Sequence, residues 1–383
     1  MESVTPYKEV IDLVKEAGGS DLKLCYQCGT CSGVCPWNTV RSFMVRRIMH
    51  QAQLGLVDFE SEDMWLCVTC RNCVQRCPRG VAIIDVMRSF RRGITELGVA
   101  KVPDSLRLTM KNISGTGNPF GEPAENRDKW SRDLSVKPYT SGTDWLYFVG
   151  CMASYDPKLQ KIARAIVTLL TKAGVDFGIL GNRENCSGES VRKVGDEALF
   201  ATLAQKNIET FQEMGVKKIL TTSPHCFSTF KNEYPEAGGH YAVSHYTQML
   251  DGLLKEGRLK PNREIKRKVT YHDPCYLGRH NGIYDEPRDI LHALPGIELV
   301  EMPRSREMSL CCGGGGGGIW RETKKEERFV NSRLEEAIAT GADTLVVACP
   351  YCMTMFQDGL VSLNQGEPIK ICDIAELVLE AVS

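Results

Sequence analysis

The sequence lacks any long hydrophobic run. Its longest apolar stretches, such as Thr344–Cys349, fall far short of the ~20 residues that cross a bilayer, so no transmembrane segment is expected. It lacks a charge excess as well: 47 Lys and Arg stand against 48 Asp and Glu. That balance gives no reason to expect nucleic acid or an anionic lipid surface as partner. The N-terminal stretch Met-Glu-Ser-Val-Thr-Pro-Tyr-Lys-Glu has neither the basic start nor the apolar centre of a secretory leader. A cytoplasmic setting is therefore expected, and with it reduced thiols rather than disulfides. A flavin or nicotinamide fingerprint is missing too. The glycine-dense segment Gly313–Gly318 follows a pair of cysteines and no clear strand, so it does not read as a dinucleotide loop.

What the sequence has in abundance is cysteine, 17 in 383 residues. Reduced cysteines in tight groups imply metal. The length allows two or three domains, and the pattern divides the chain at 1–100, 101–143, 144–262 and 263–383. The first part reads as helical. Val10, Ile11, Leu13 and Val14 form the apolar side of a short helix stopped by Gly18-Gly19, and further helices are expected over 39–54 and 81–97. Residues 101–143 are rich in Gly, Pro, Asn and Ser and read as an ordered linker or lid. From Asp144 onward strands (145–149, 175–180, 217–221, 269–272, 344–348) alternate with helical segments such as 161–172, the α/β signature.

The α/β region repeats itself. Cys151 and Cys275 each follow a strand, Cys186 and Cys311 each precede a glycine-containing turn, and Cys226 and Cys352 each end an x-Pro-x-Cys. The offsets are 124, 125 and 126 residues, as a tandem duplication of a small α/β unit would leave them.

Two runs in the first hundred residues carry the most specific chemistry: Cys25, Cys28, Cys31, Cys35-Pro36 and Cys67, Cys70, Cys73, Cys77-Pro78. Cysteines at i, i+3 and i+6 let one loop offer three thiolates to a cubane, while the fourth points elsewhere and ligates the neighbouring cluster. The expectation is two cubane [4Fe–4S] clusters, one on Cys25, Cys28, Cys31 and Cys77, the other on Cys67, Cys70, Cys73 and Cys35. Zinc sites prefer separated Cys-x2–4-Cys pairs and do not explain the doubled run. Arg41, Arg46 and Arg47 between the runs read as a solvated face.

The second repeat holds Cys275, Cys311-Cys312-Gly313 and Cys349-Pro-Tyr-Cys352. These thiols stand at strand ends or in the turns after them, where an open α/β sheet forms its crevice. Adjacent cysteines suit a multi-iron cluster better than a single tetrahedral ion, and the glycines allow backbone close to a bulky cofactor. His272 precedes this set and reads either as a proton donor to a nascent thiolate or as an imidazole bonded to backbone. Cys372 reads as a structural thiol.

These residues resemble the cysteine-rich CCG module of heterodisulfide reductases and their relatives. The segment Tyr26-Gln-Cys-Gly-Thr-Cys-Ser-Gly-Val-Cys-Pro resembles the ferredoxin-type subunit of the same enzymes, and the whole chain is similar to the form that fuses the two. The resemblance implies a fold class of multi-domain α+β type, a mainly helical two-[4Fe–4S] ferredoxin domain followed by tandem α/β CCG repeats. It implies a noncubane [4Fe–4S] cluster on Cys275, Cys311, Cys312, Cys349 and Cys352, at which a disulfide is cleaved. It also implies an oxidoreductase subunit working with a flavoprotein subunit of heterodisulfide reductase A type, or with a membrane quinone or cytochrome subunit, on a thiol/disulfide substrate. A relay between a flavoprotein and a low-potential acceptor is the alternative.

The first repeat departs from this pattern, with Ser187 where the pair's second cysteine belongs and Ser223 at the first cysteine of Cys-Pro-x-Cys. Serine is a poor iron ligand because its hydroxyl is far less acidic than a thiol. Two readings follow: Cys151, Cys186 and Cys226 hold a further [4Fe–4S] cluster, with His225 or a non-protein group as fourth ligand, or the repeat is metal-free and kept for packing.

Overall fold

The computed structural model describes residues 5–363 and 368–383; the first four residues of the N-terminal stretch, where no leader is expected, lie outside the described residues. The N-terminal part is helical. Lys8–Val14, Val45–Gln53 and Ile83–Leu97 pack around Val14, Ile48, Met49, Val86, Phe90 and Ile94. The last of these helices buries Ile83, Val86, Met87, Phe90 and Ile94, a 3.6-residue stripe, and stops at left-handed Gly98. The middle helix is shorter than the 39–54 expected. Asn38 bonds the Ser32 and Phe43 carbonyls through its amide nitrogen and accepts from the Phe43 N–H, which holds 40–44 out of helical geometry.

Residues 101–143 are more regular than their composition implies. Asp104–Thr116 is a helix that buries Leu106, Thr109, Met110 and Ile113. The segment then runs past Trp130, which is buried, and joins the first sheet's edge through a Pro138–Ile179 bridge.

Two four-stranded parallel sheets follow. β1 (Trp145–Phe148), β2 (Phe177–Gly178), β3 (Lys218–Thr221) and β4 (Ala242–His245) make the first, in the order β2-β1-β3-β4. β5 (Arg267–Tyr271), β6 (Ile297–Leu299), β7 (Thr344–Val347) and β8 (Lys370–Asp373) repeat that order. The register matches as well: Leu146 pairs Ile219 in one sheet and the equivalent Thr270 pairs Leu345 in the other. β1, β3, β5 and β7 are buried over their last three residues or more, as central parallel strands are. Both sheets change winding direction between their two central strands, and ligands in such sheets bind beyond the carboxyl ends at that switch. Cys151 and Ser223 follow β1 and β3 there; Cys275 and Cys349 follow β5 and β7. Among the described residues no helix is long and apolar enough to cross a membrane.

Candidate metal centres

The eight N-terminal cysteines gather into two groups that exchange their fourth members. Cys25, Cys28, Cys31 and Cys77 line one cavity of about 370 Å³. Cys35, Cys67, Cys70 and Cys73 line another of about 400 Å³. The backbone of the two loops is alike around the second cysteine of each run. Gln27 and Gly29 flank Cys28 with φ of 68° and 86°, and Thr69 and Arg71 flank Cys70 with φ of 50° and 65°. Left-handed residues alternating with ordinary ones turn successive amides to one side, the geometry of an anion-binding nest. A β-branched residue at positive φ is strained, and Thr69 is held there by a 2.7 Å hydroxyl contact with Tyr276 of the second repeat. Four thiols and a nest around each cavity suit an anionic iron–sulfur cluster. The first group reaches solvent at Cys28, whereas Cys70 in the second is buried.

The second group abuts the second repeat. The side chain of Cys70 lies against that of Cys311. The six-glycine run makes this approach possible. A Cβ on Gly315 would lie 2.5 Å from the Val68 carbonyl oxygen, and one on Gly316 would lie 2.5 Å from that of Cys67. The glycines thus admit the ferredoxin loop rather than a nucleotide. Two buried arginines fasten the seam. Arg91 donates to the carbonyls of Met64, Cys67, Lys193 and Gly316. Arg279 donates to those of Cys70 and Ser309.

The second repeat brings its five cysteines together, all buried. Cys312 and Cys352 sulfurs are 3.3 Å apart, Cys311 contacts Cys275 and Cys312, and Cys349 contacts Cys352. The Gly313 amide donates to the Cys311 sulfur at 3.3 Å. Hydrogen bonds from Cys311 and Cys352 hold the Cys312 thiol well below its ordinary range. Burial raises the Cys349 thiol, but bonds from Cys352 and His225 outweigh it and bring it down to about 6. Cys311, through its bonds to Cys275 and Cys312, and Cys352, through burial, are raised well above their ordinary range. Cys312 also lines a cavity walled by Trp37, Val68, Ile319, Phe329 and Met355, with Arg321 and Arg328 in its lining.

His272 is bonded to a side chain and not to backbone. Arg333 donates from Nε to its Nδ1 at 3.3 Å. An arginine only donates, so Nδ1 accepts and the proton sits on Nε2. The buried Nε2 is left to face the Cys312 sulfur. A ring nitrogen and the Cys312 and Cys352 sulfurs lie within 4.8 Å of one another. Burial holds the imidazole's pKa down. Cys372 stands apart on β8, its sulfur near the Asp373 carbonyl and Glu376.

The first repeat collects Cys151, Cys186 and Cys226 in a cavity that Ser187, Ser223 and His225 also line. Both serines are engaged. Ser223 Oγ accepts from the His225 amide at 3.2 Å and caps the helix Pro224–Asn232, while Ser187 Oγ bonds the Cys226 sulfur at 3.4 Å. A residue the sequence did not single out, Arg127, places its guanidinium 3.2 Å from the Cys151 sulfur and pairs with buried Glu184. Glu184 in turn accepts the Val149 and Gly150 amides just ahead of Cys151. A hydrogen bond from Cys186, with Arg127 beside it, brings the Cys151 thiol down to about 7. His225 turns away from the cavity's centre. Its Nδ1 is 3.0 Å from Glu189 Oε1 and its ring bonds Cys349 of the other repeat. Burial alone would lower its pKa, but Glu189 and Cys349 push it up to about 10.

Comparison with known proteins agrees with this division. The 4Fe-4S dicluster domain model matches residues 21–81, and the cysteine-rich domain model CCG matches 145–231 and 269–357. Over 330 residues the chain is 41% identical to a protein named probable iron–sulfur-binding oxidoreductase FadF, of Bacillus subtilis, covering 84% of this chain and 47% of that one. It is 36% identical over 336 residues to the EtfAB:quinone oxidoreductase of Syntrophomonas wolfei, with the same coverage. It is 30% identical over 395 residues to a subunit of the dihydromethanophenazine:CoB–CoM heterodisulfide reductase of Methanosarcina barkeri, covering 94% of both chains. The chain spans about half the length of the first two relatives. This chain, which joins a 4Fe–4S dicluster domain to two cysteine-rich CCG domains and overlaps the Methanosarcina protein nearly completely, belongs to the iron–sulfur oxidoreductase subunits of heterodisulfide reductase D type.

Proposed function

We propose that the chain conducts electrons between a cubane [4Fe–4S] cluster on Cys25, Cys28, Cys31 and Cys77, a second on Cys35, Cys67, Cys70 and Cys73, and a noncubane [4Fe–4S] cluster on Cys275, Cys311, Cys312, Cys349 and Cys352. At the last of these a disulfide is reduced, or formed when flow reverses. The observation that carries the proposal is the Cys70–Cys311 contact, which links a ferredoxin cysteine directly to the CCG set. Exposed Cys28 supports electron exchange with a partner at the opposite end. The cavity that Cys312 lines supports access for a substrate sulfur. Cleaving a disulfide consumes two electrons and two protons and yields two thiols; the ring of His272, which lies against the Cys312 sulfur, supports a role as donor of one proton. Because clusters pass electrons singly, the partner is a flavoprotein or quinone-linked subunit that deals in pairs.

For the first repeat we infer a cluster on Cys151, Cys186 and Cys226 completed by a non-protein ligand, since both bonds of His225 are spent elsewhere. Iron and sulfide counts in Cys186→Ala test this, and a count equal to wild type refutes it.

The disulfide reading is tested by EPR on the oxidised protein with candidate thiols added. A thiol-dependent paramagnetic signal that disappears in Cys311→Ser and Cys312→Ser is expected. No response to any thiol favours the second reading, a relay between a flavoprotein and another acceptor. Identity favours that reading: the chain is 41% and 36% identical to FadF and the EtfAB:quinone oxidoreductase, against 30% to the heterodisulfide reductase protein.

A further inference from the structure

His225 and Tyr351 hold the same position in the two repeats, one residue before the last cysteine of Ser-Pro-His-Cys and of Cys-Pro-Tyr-Cys. Their rings meet where the repeats face each other. His225 lies between Tyr351, at a centroid distance of 4.3 Å, and Tyr276, at 4.1 Å. It is buried, and so is Glu189, whose Oε1 takes His225 Nδ1 at 3.0 Å. Glu189 is fixed in turn. Ser190 Oγ bonds its Oε2 at 3.1 Å and lies 3.1 Å from both the Tyr351 hydroxyl and Trp320 Nε1. With Nδ1 committed to the carboxylate, Nε2 is left for the sulfur of Cys349, which lies beside the ring. The second repeat cannot make this contact from its own equivalent residue, because that residue is a tyrosine.

We propose that the first repeat acts on the second repeat's cysteine site through His225, a positioning residue that Glu189 orients between Tyr276 and Tyr351 so that its N–H donates to the Cys349 sulfur and raises the reduction potential of the cluster held there. The inference rests on the reading that Cys349 is a cluster ligand. Reduction adds negative charge to the cluster and its sulfurs, so a donor to a ligating sulfur stabilises the reduced form more than the oxidised one. The degenerate repeat, having lost two cysteines, thereby keeps a role in the intact one.

The test is a redox titration of the full chain followed by EPR, with the CCG signal defined as the one lost in Cys312→Ser. His225→Phe keeps a ring between the tyrosines and removes the donor. Its CCG cluster is expected to be about tenfold harder to reduce, the effect of losing one hydrogen bond to a charged group, equivalent to about 59 mV downward for one electron. The two ferredoxin potentials should stay put. His225→Gln restores an N–H and should recover part of the shift. Glu189→Gln should move the potential in the same direction as His225→Phe and serves as the test if that variant loses its cluster. A change under twofold in iron-replete variants, an equal shift in all clusters, or loss of the CCG cluster in both His225→Phe and Glu189→Gln overturns the proposal. A wild-type chain with ferredoxin signals and no signal sensitive to Cys312→Ser overturns the functional reading and this inference together; a normal wild-type signal with unmoved variants overturns this inference alone.

Discussion

Replacing Gly315 by alanine adds one methyl group at the seam between the ferredoxin loop and the second repeat. Its backbone is not left-handed, so the substitution carries no φ penalty, and the cost comes from the 2.5 Å approach of the new Cβ to the Val68 carbonyl oxygen. That oxygen belongs to the loop carrying Cys67 and Cys70 and cannot retreat without moving them. Overpacking of this kind costs about 1–3 kcal/mol, while a glycine-to-alanine change returns roughly 0.4–1 kcal/mol through the unfolded chain. Gly33→Ala isolates the second effect, since nothing lies within 4 Å of its Cβ and its φ is ordinary. Gly316→Ala meets the Cys67 oxygen at 2.5 Å and also sits at φ +59°, which adds about 1–2 kcal/mol. Native-state hydrogen exchange at Val68 and Thr69 reads the opening of this seam. A net loss of about 1–2 kcal/mol in Gly315→Ala corresponds to exchange roughly 5–30 times faster, with a larger effect in Gly316→Ala and exchange no faster than wild type in Gly33→Ala. Exchange within twofold of wild type in Gly315→Ala would refute the claim that the glycines exist to admit the ferredoxin loop.

Three further outcomes are expected. Arg91→Met strands the carbonyls of Met64, Cys67, Lys193 and Gly316; with buried unpaired groups costing about 1–3 kcal/mol each, a loss of at least ~3 kcal/mol should appear as a lower thermal midpoint and early proteolysis between the ferredoxin and CCG parts. Cys77→Ser should alter the EPR spectrum of the cluster that Cys28→Ser alters and spare the one that Cys70→Ser alters; the reverse result would reassign the fourth ligands. His245 is buried neutral, its pKa pushed down to about 3 by burial, against about 6.5 in the unfolded chain. Its contribution is complete above pH 6.5 and lost as pH falls toward 3, so between pH 7 and 5 wild type should lose about 2 kcal/mol more than His245→Asn, measured from denaturant midpoints of both proteins at both pH values.

The chemistry was legible where ligands are close in sequence or repeat at a fixed interval. Three cysteines within seven residues define a cluster loop whatever surrounds them, and the 124–126 residue offsets align both CCG units. The edge strands β4, β6 and β8 escaped because Ala-Val-Ser-His, Ile-Glu-Leu and Lys-Ile-Cys-Asp are short and mixed in polarity, as partly exposed edge strands are. A local signal did exist for two of them. His245 with Gln248 and Asp373 with Glu376 form capping boxes immediately after β4 and β8. Arg127 was hidden in a Gly- and Pro-rich segment, and nothing local ties it to Glu184, 57 residues away, or to Cys151. Nor does anything local join Cys70 to Cys311; only the packed glycine run brings them together.

The two repeats differ most instructively at one backbone position, Ser223 in the first and Cys349 in the second. Each stands just before a helix beginning with proline, Pro224–Asn232 or Pro350–Leu363. An oxygen there caps the helix, as Ser223 does by accepting the His225 amide. A sulfur caps poorly, but the positive end of the helix favours its thiolate, and Cys349 is held near pKa 6 with His225 and Cys352 bonded to it. The same site therefore serves either helix capping or ligation. In the first repeat capping has won, and the helix it secures carries His225 to the face of the second repeat. In the second repeat the proposed ligation takes that position, and His225 from the other copy lies beside the same sulfur. The serine at 223 and the contact with Cys349 are thus linked, because the helix that Ser223 caps carries the residue that reaches the second repeat's cysteines.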